Sequence, residues 1–578
     1  MTRTDSFVVG TLVVLLALIA GLVGIPYLAP ATSTAPGASA SPGLPVARPY
    51  REGVLGRPVS VSPLSARSQA DRDLVALVFS GLVRNGPSGS IVPDLAERWT
   101  VDPSGRVWTF VLRDDIRWHD GDPVTSDDVA FTIHVLQDPK YTGPGARSWN
   151  EVTVTTDGSR TVVFTLATPL GGFLQAATQP IVPAHILAGV PVVGLADDPF
   201  GRQPIGSGPF AVASLDADSA DLIPAASLLM PPDASAAPSP VSTDSLATLP
   251  PAERPSRPVP YLPGMEFRFF DQPDALAAAY RSGALDAASG LSPELTSELA
   301  LARDSRSVHY PGSTLTAILL NLRPGHPEFA NPAVRTALLE AIDRESLIRA
   351  AFAIAATPPN SAIPPSSVLY DPTAGPPVAY DPKVATAGLK AAGWTLAVDG
   401  WHLPKAKTPL TIELISPDQA SNPAAYDAAD AVAADWKALG LLATHVALPP
   451  GEFVTDRLST GKFSAAVGDV TIGLDPDLYP LLASSQTVTG GSNVIGLQDP
   501  ALDALLSAAR GPGTPEARKA AYSALQKLLV ARQYLLPLAF ADESIVVRNT
   551  VQGPTARQVG DPSDRFWDVL TWRLAAGR

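Results

Sequence analysis

IVPDLAERWTVDPSGRVWTFVLRDDIRWHDGDPVTSDDVAFTIHVLQDP, residues 91–139, decides between a charged reactive site and a structural segment. Val107 to Leu112 is an apolar, β-branched run suited to a strand, and Ile116 and Trp118 alternate with Arg117 and His119 as a second strand would. Asp120 and Gly121 signal a turn, and Pro123 an edge or bend. Thr125 and Asp128 have capping-box spacing, the hydroxyl placed to accept an orphan amide and the carboxylate to reach back. Val129, Ile133 and Leu136 then share one helical face until Pro139 stops the helix. Most of the acids therefore have turn and cap duties. His119, Asp120 and Asp122 lie on alternating strand positions and a turn, with no His-x-x-x-His or calcium-loop spacing, so no metal site is expected.

The rest of the chain narrows the function classes. Its 578 residues are too many for one core and predict several domains. A net charge of -14 gives little reason to seek nucleic acid, whose affinity comes from clustered Lys and Arg. With no cysteine, disulfides, thiol catalysis and thiolate-bound metals are excluded. Proline is abundant at 60 residues and charged residues reach only 17%, which suits a large folded core with rigid connections.

Residues 7–25 form a continuous apolar or small run, followed by an Ala29-Pro30-Ala31 pattern. At 1.5 Å per residue such a helix spans roughly 28 Å, about one bilayer core. Two readings of residues 1–30 fit: an uncleaved transmembrane anchor with Arg3 inside, or a cleaved signal peptide. Both place the remainder outside the cytoplasmic membrane, with residues 31–49 as a flexible linker.

Further motifs have local meanings of their own. Residues 71–83 predict an amphipathic helix in which Gly81 permits close approach or a late break. Asn331-Pro332 supplies an N-cap followed by a first-turn proline, and Asp381-Pro382 does the same for a helix that Gly393 ends. Thr153 to Val163 reads as a hairpin around Asp157-Gly158. Residues 410–415, 424–439 and 443–448 read as strand, helix and strand, which favours an α/β lobe. From 222 to 263 the chain becomes proline-rich without period, and is expected to be a surface insertion that cannot order itself as a core.

In chain order, REGVLGRPVSVSPLSARSQADRDLVALVFSGLV after residue 50, the 91–139 segment, PIGSGPFAV at 204–212, NPAVRTALLEAIDRESLI at 331–348, YDPKVATAGLKAAGW at 380–394 and DPALDALLSAA at 499–509 resemble family 5 extracellular solute-binding proteins, the peptide- and nickel-binding components of ABC importers. The resemblance implies an α/β periplasmic-binding-protein type II fold: two lobes with a hinge, plus a β-rich subdomain inserted in lobe I. It implies lobe I at 50–95, 201–315 and 541–578, the inserted subdomain at 96–200, and lobe II at 316–540. His119, Asp120, Gly121, Thr125 and Asp128 would be structural, as would Arg335, Asp343 and Arg344. The implied function is a receptor that closes on a small solute, a peptide among the candidates, and delivers it to permease and ATPase subunits at the extracytoplasmic face of a bacterial membrane, either anchored or secreted into the periplasm. A membrane-anchored sensor and a structural surface protein are the alternatives.

No catalytic residue, cofactor or nucleic-acid partner is expected. The seven histidines fall in no nucleophile-elbow or zinc-protease context. The resemblance implies that peptide binders pair the ligand ammonium with an aspartate just before a Gly-Asp-Pro-like turn. Here AAVGDVTIGLDPDLYPLL puts Ile472 near that position, and Asp469 and Asp475 are the candidate substitutes. Tyr479, Trp401 and Trp149 are candidate pocket walls, and Asn493 resembles a cleft-loop residue.

Overall fold

A computed structural model describes residues 48–146, 148–229, 259–353, 358–488 and 490–575. No helix among the described residues is long and apolar enough to cross a membrane. The apolar run at 7–25 lies outside them, as do residues 230–258 of the proline-rich stretch.

Two sheets organise the chain. The first has seven strands in the order Ser305–Tyr310, Glu543–Arg548, Ala287–Ser289, Tyr50–Leu55, Met265–Phe270, Ser219–Pro224 and Phe210–Leu215. Tyr50–Leu55 pairs in parallel with both neighbours, so the first described strand is interior and its partners arrive from distant sequence. The second has five strands, Leu442–Leu448, Thr411–Pro417, Ala465–Thr471, Thr314–Leu320 and Leu535–Phe540. Thr411–Pro417 and Leu442–Leu448 run parallel across helix Pro423–Ala438, as the alternating pattern predicts. Residues 311–313 and 541–542 are the two crossings between these sheets. They lie side by side: Ala541 N–H donates to Thr314 O at 3.1 Å, and a side chain on Gly312 would collide with Ala541 O. We call the seven-stranded part lobe I and the five-stranded part lobe II.

The inserted β-rich part is a four-stranded antiparallel sheet, Ala96–Val101, Val107–Leu112, Thr161–Leu166 and Val152–Asp157. Its core is continuous with lobe I, since Trp108, Phe110 and Phe164 belong to the same buried cluster as Tyr50, Phe267 and Trp572. Helix Ser126–Gln137 begins at the expected capping box, with Asp128 accepting Thr125 N–H at 2.8 Å. Asp128 also accepts Ala184 N–H at 2.8 Å, joining that helix to the chain leaving the sheet.

Three expectations differ from the structure. Ile116 and Trp118 belong to no strand: Trp118 N–H bonds Asp122 O and Gly121 N–H bonds Trp118 O, so the chain reverses at once through Gly121, at φ +96°. The first helix is Gln69–Val78 and ends before Gly81, because Phe79 is extended and Gly81 presses on Thr178 O too closely for a side chain. Residues 222–229 are ordered, Leu222 being 2% exposed and paired with Met265, because strand Ser219–Pro224 completes the lobe I sheet.

Lobe I is closed by charge at its centre. Arg565, from the C-terminal segment, donates to both oxygens of Asp73 at 2.6 Å and to Glu52 at 2.8 Å, with all three buried. Tyr50 O–H adds a bond to Glu52 at 2.9 Å. Burial raises Asp73 above the ordinary carboxylate range despite Arg565, as expected where two acids share one guanidinium. Arg565→Met should therefore cost about 3–5 kcal/mol in chemical denaturation, because it leaves two buried carboxylates unpaired. For a carboxylate raised in the fold, the penalty is full above its folded pKa and fades as pH falls toward its unfolded value. The deficit should accordingly shrink on acidification, and a deficit independent of pH would contradict the charge account.

Candidate functional site

Residues 472–477 are where lobe II meets the rest of the molecule. Ile472 N–H donates to Ser313 O of the hinge at 3.0 Å. Leu474 lies beside Gly560 of lobe I, 3.4 Å from where a side chain would start. Asp475 faces Gly172 of the inserted subdomain, and a Cβ on Gly172 would collide with its carboxylate. Gly171 N–H donates to Arg510 O at 2.9 Å, and added side chains on Gly171 and Gly105 would strike Gly511 O and Pro512, each at 2.5 Å. Three glycines thus let the inserted subdomain approach lobe II at backbone distance.

Beside this seam is a cavity of about 210 Å³, lined from one side by Leu170, Gly172, Gln175 and Ala176 and from the other by Asp475, Asp477, Arg510, Arg518 and Tyr522. Arg518 Nη2 donates to both oxygens of Asp475 at 2.9 Å, and Tyr522 O–H approaches one of them at 3.3 Å. Arg518 and Tyr522 are one turn apart on helix Pro515–Arg532, so they meet the same carboxylate. Burial alone would lower Arg518, but the charge of Asp475 outweighs it and holds the guanidinium above its ordinary value. Burial also pushes the Tyr522 phenol up, reinforced by Asp475. Asp477 accepts Tyr479 N–H at 3.0 Å and faces Arg510 Nε at 3.0 Å. Its burial lifts it above the usual carboxylate range against the pull of Arg510. The Arg510 guanidinium carbon lies 4.8 Å from the Tyr479 ring centroid, a cation–π contact that supports the side chain.

Of the residues singled out from sequence, Asp475 lines this cavity and Tyr479 supports it through Arg510. The others lie elsewhere. Asp469 accepts from Thr316 at 2.6 Å and Asn422 at 2.7 Å on the lobe II sheet. Asn493 is buried, donates to Leu482, Ala483 and Leu497 carbonyls and accepts Leu497 N–H, so it braces a loop. Trp401 is fully buried in lobe II and donates to Leu439 O at 2.8 Å. Trp149 is 4% exposed and packs on Phe164 and Phe173.

His119 faces away from Asp120, accepting Gly206 N–H on Nδ1 at 3.2 Å, so that Nε2–H donates to Gly208 O at 3.1 Å. It braces the PIGSGPF loop. Burial opposes ionisation of Asp120, but its bond to His185 at 2.9 Å keeps it below the ordinary range. Among the described residues no group of three acids or histidines is placed to hold a metal. Arg335 donates to the carbonyls of Phe329, Ala330, Arg532 and Gln533, and Arg344 to those of Pro359, Val378 and Pro537, while Asp343 caps helix Arg344–Phe352.

Arg510, Arg518, Tyr522 and Gln175 were missed from sequence. The one available signal was the four-residue spacing of Arg518 and Tyr522, and nothing in it points to Asp475.

The model for bacterial extracellular solute-binding proteins, family 5, matches residues 90–492. The chain belongs to this family. It is 28% identical to Protein XP55 of Streptomyces lividans over 516 residues, 88% of this chain and 86% of that protein. A putative ABC transporter peptide-binding protein of Brucella ovis is 27% identical over 442 residues, 75% of this chain and 76% of its own. The crystal structure of a putative peptide binding protein from Clostridium difficile superposes with a TM-score of 0.73 at 18% identity, covering 91% of this chain and 100% of that one. The fold is the type II periplasmic-binding-protein fold implied by the sequence, and the family is one of binding proteins.

In this solute-binding protein the glycine seam offers a clean probe. Gly172 has φ -85° and ψ 9°, a negative-φ bridge conformation that does not require glycine, and the atoms nearest an added Cβ all belong to Asp475. Gly172→Val should weaken solute binding by about tenfold, from roughly 1–3 kcal/mol of overpacking. Gly189→Ala, which faces open space, should leave affinity unchanged by calorimetry. Equal affinities in the two variants would remove the seam from the closing contact.

Proposed function

We propose that this chain is the solute receptor of an ABC importer, enclosing a short peptide or related small solute between its inserted subdomain and lobe II and presenting it to a membrane permease. The observation that carries this is the cavity bounded by both bodies, whose Asp475 follows three residues after Ile472, the residue bonded to Ser313 of the double-stranded crossing at 311–313 and 541–542. A polypeptide crossing twice permits bending while restricting twist, and bending there opens and closes the seam at Gly171 and Gly172. The putative peptide-binding relative supports a peptide-like solute.

At the ammonium end of a peptide, the candidate acids already have partners within the protein. Both oxygens of Asp469 are engaged by Thr316 and Asn422, and both oxygens of Asp475 by Arg518. Ile472 is buried in the apolar core of lobe II. An ammonium would have to displace one of these partners. The apolar run at 7–25 supports placement at the outer face of the membrane, where an uncleaved helix would tether the receptor beside its permease and a cleaved one would release it.

Native mass spectrometry of the chain purified gently from a bacterial host should show a bound species of peptide-like mass that fragments as a short ladder. A protein that arrives empty and gives no heat with di- to pentapeptide pools would contradict the receptor reading.

A further inference from the structure

Hydrogen-bonding capacity in the 210 Å³ cavity is unevenly distributed. The carboxylates are taken. Asp475 is held by Arg518 and Tyr522, and Asp477 by the Tyr479 amide and Arg510. Donors are left over. Arg510 Nε lies 3.0 Å from an Asp477 oxygen as an ion pair but makes no aligned hydrogen bond, and among the described residues no acceptor takes its Nη1 or Nη2. Across the cavity the Gln175 side chain has no hydrogen-bond partner among them either, and Arg518 Nε is buried without an acceptor.

We propose that this cavity is a carboxylate-recognition site, with Arg510 as the residue that receives one carboxylate of the enclosed solute and Gln175 as a second donor from the opposite wall. The paired Nη1 and Nη2 edge of a guanidinium matches the two oxygens of a carboxylate in one plane, and the cation–π contact with Tyr479 helps hold the Arg510 side chain in place. Charge balance selects against a doubly charged phosphate. Arg510 and Arg518 are each already matched by one acid in the same lining, so a monoanion brings one excess charge and a dianion brings two. A solute cation finds the acids occupied. The proposal rests on the receptor reading for the claim that the cavity closes on solute, and it names the group recognised there.

The two can be tested apart with trifluoroacetate, a minimal carboxylate, observed by fluorine NMR in the presence of the full chain. Its line should broaden where that of trifluoroethanol does not. Arg510→Gln should weaken the response about tenfold or more, as expected for loss of a charge-assisted pair. Gln175→Leu, on the other wall and away from the ion pairs, should weaken it less. Arg281→Gln, an exposed guanidinium paired with Glu298 in lobe I, should leave it intact. Equal broadening in wild type and Arg510→Gln, or none in either, would overturn the assignment. An Arg510-dependent response in a protein that retains no peptide would sustain the carboxylate site and count against the peptide reading alone.

Discussion

The ion cluster of Arg565 with Glu52 and Asp73 is the constraint on which the rest of the architecture depends. Glu52 lies on the central strand of lobe I, Asp73 on the first described helix and Arg565 in the C-terminal segment, so one buried guanidinium joins the two ends of the described chain. A buried charge must be paired, and removing one partner strands the others. The C-terminal segment therefore has to return to lobe I after lobe II is built. That return creates the second crossing, and two crossings side by side are what make a hinge instead of a swivel.

What the hinge moves is the short loop at 472–477. Within six residues it touches the crossing, lobe I and the inserted subdomain. Its acids are neutralised inside lobe II, Asp475 by Arg518 and Asp477 by Arg510, so the face offered to the inserted subdomain carries little net charge. Glycines on the other side remove side-chain bulk. Closure then needs no desolvation of unpaired charge at the seam, which keeps the contact weak enough to reverse. Solute enclosed next to it can supply the remaining stabilisation of the closed form.

Much of the scaffold was legible because its signals are local. The capping box of Thr125 and Asp128, the Asn331-Pro332 and Asp381-Pro382 helix starts and the Asp157-Gly158 turn are each decided within a few residues, and the structure contains all of them. The helix after Asp71 and the strand ending at Pro224 were misjudged where a distant element intervened, Thr178 in one case and Met265 in the other. The cavity was the least legible part. Asp475 meets Arg518 across 43 residues of sequence, and Gly172 meets it from a different sheet system. Tryptophans misled for a related reason. Trp401 and Trp149 have the size of pocket walls, but a core accepts an indole as readily when its N–H finds a carbonyl, as Trp401 does at Leu439.

Enclosing a solute at the seam requires movement of the inserted subdomain against lobe II, and the absence of native cysteine makes that distance directly measurable. Spin labels at Thr155→Cys on the inserted sheet and Lys519→Cys on the lobe II helix, both exposed positions, report it by pulsed electron resonance. A broad distribution without solute that shortens and narrows when solute is bound is the predicted result. An unchanged distribution in a protein shown by mass spectrometry to be loaded would contradict closure across the seam.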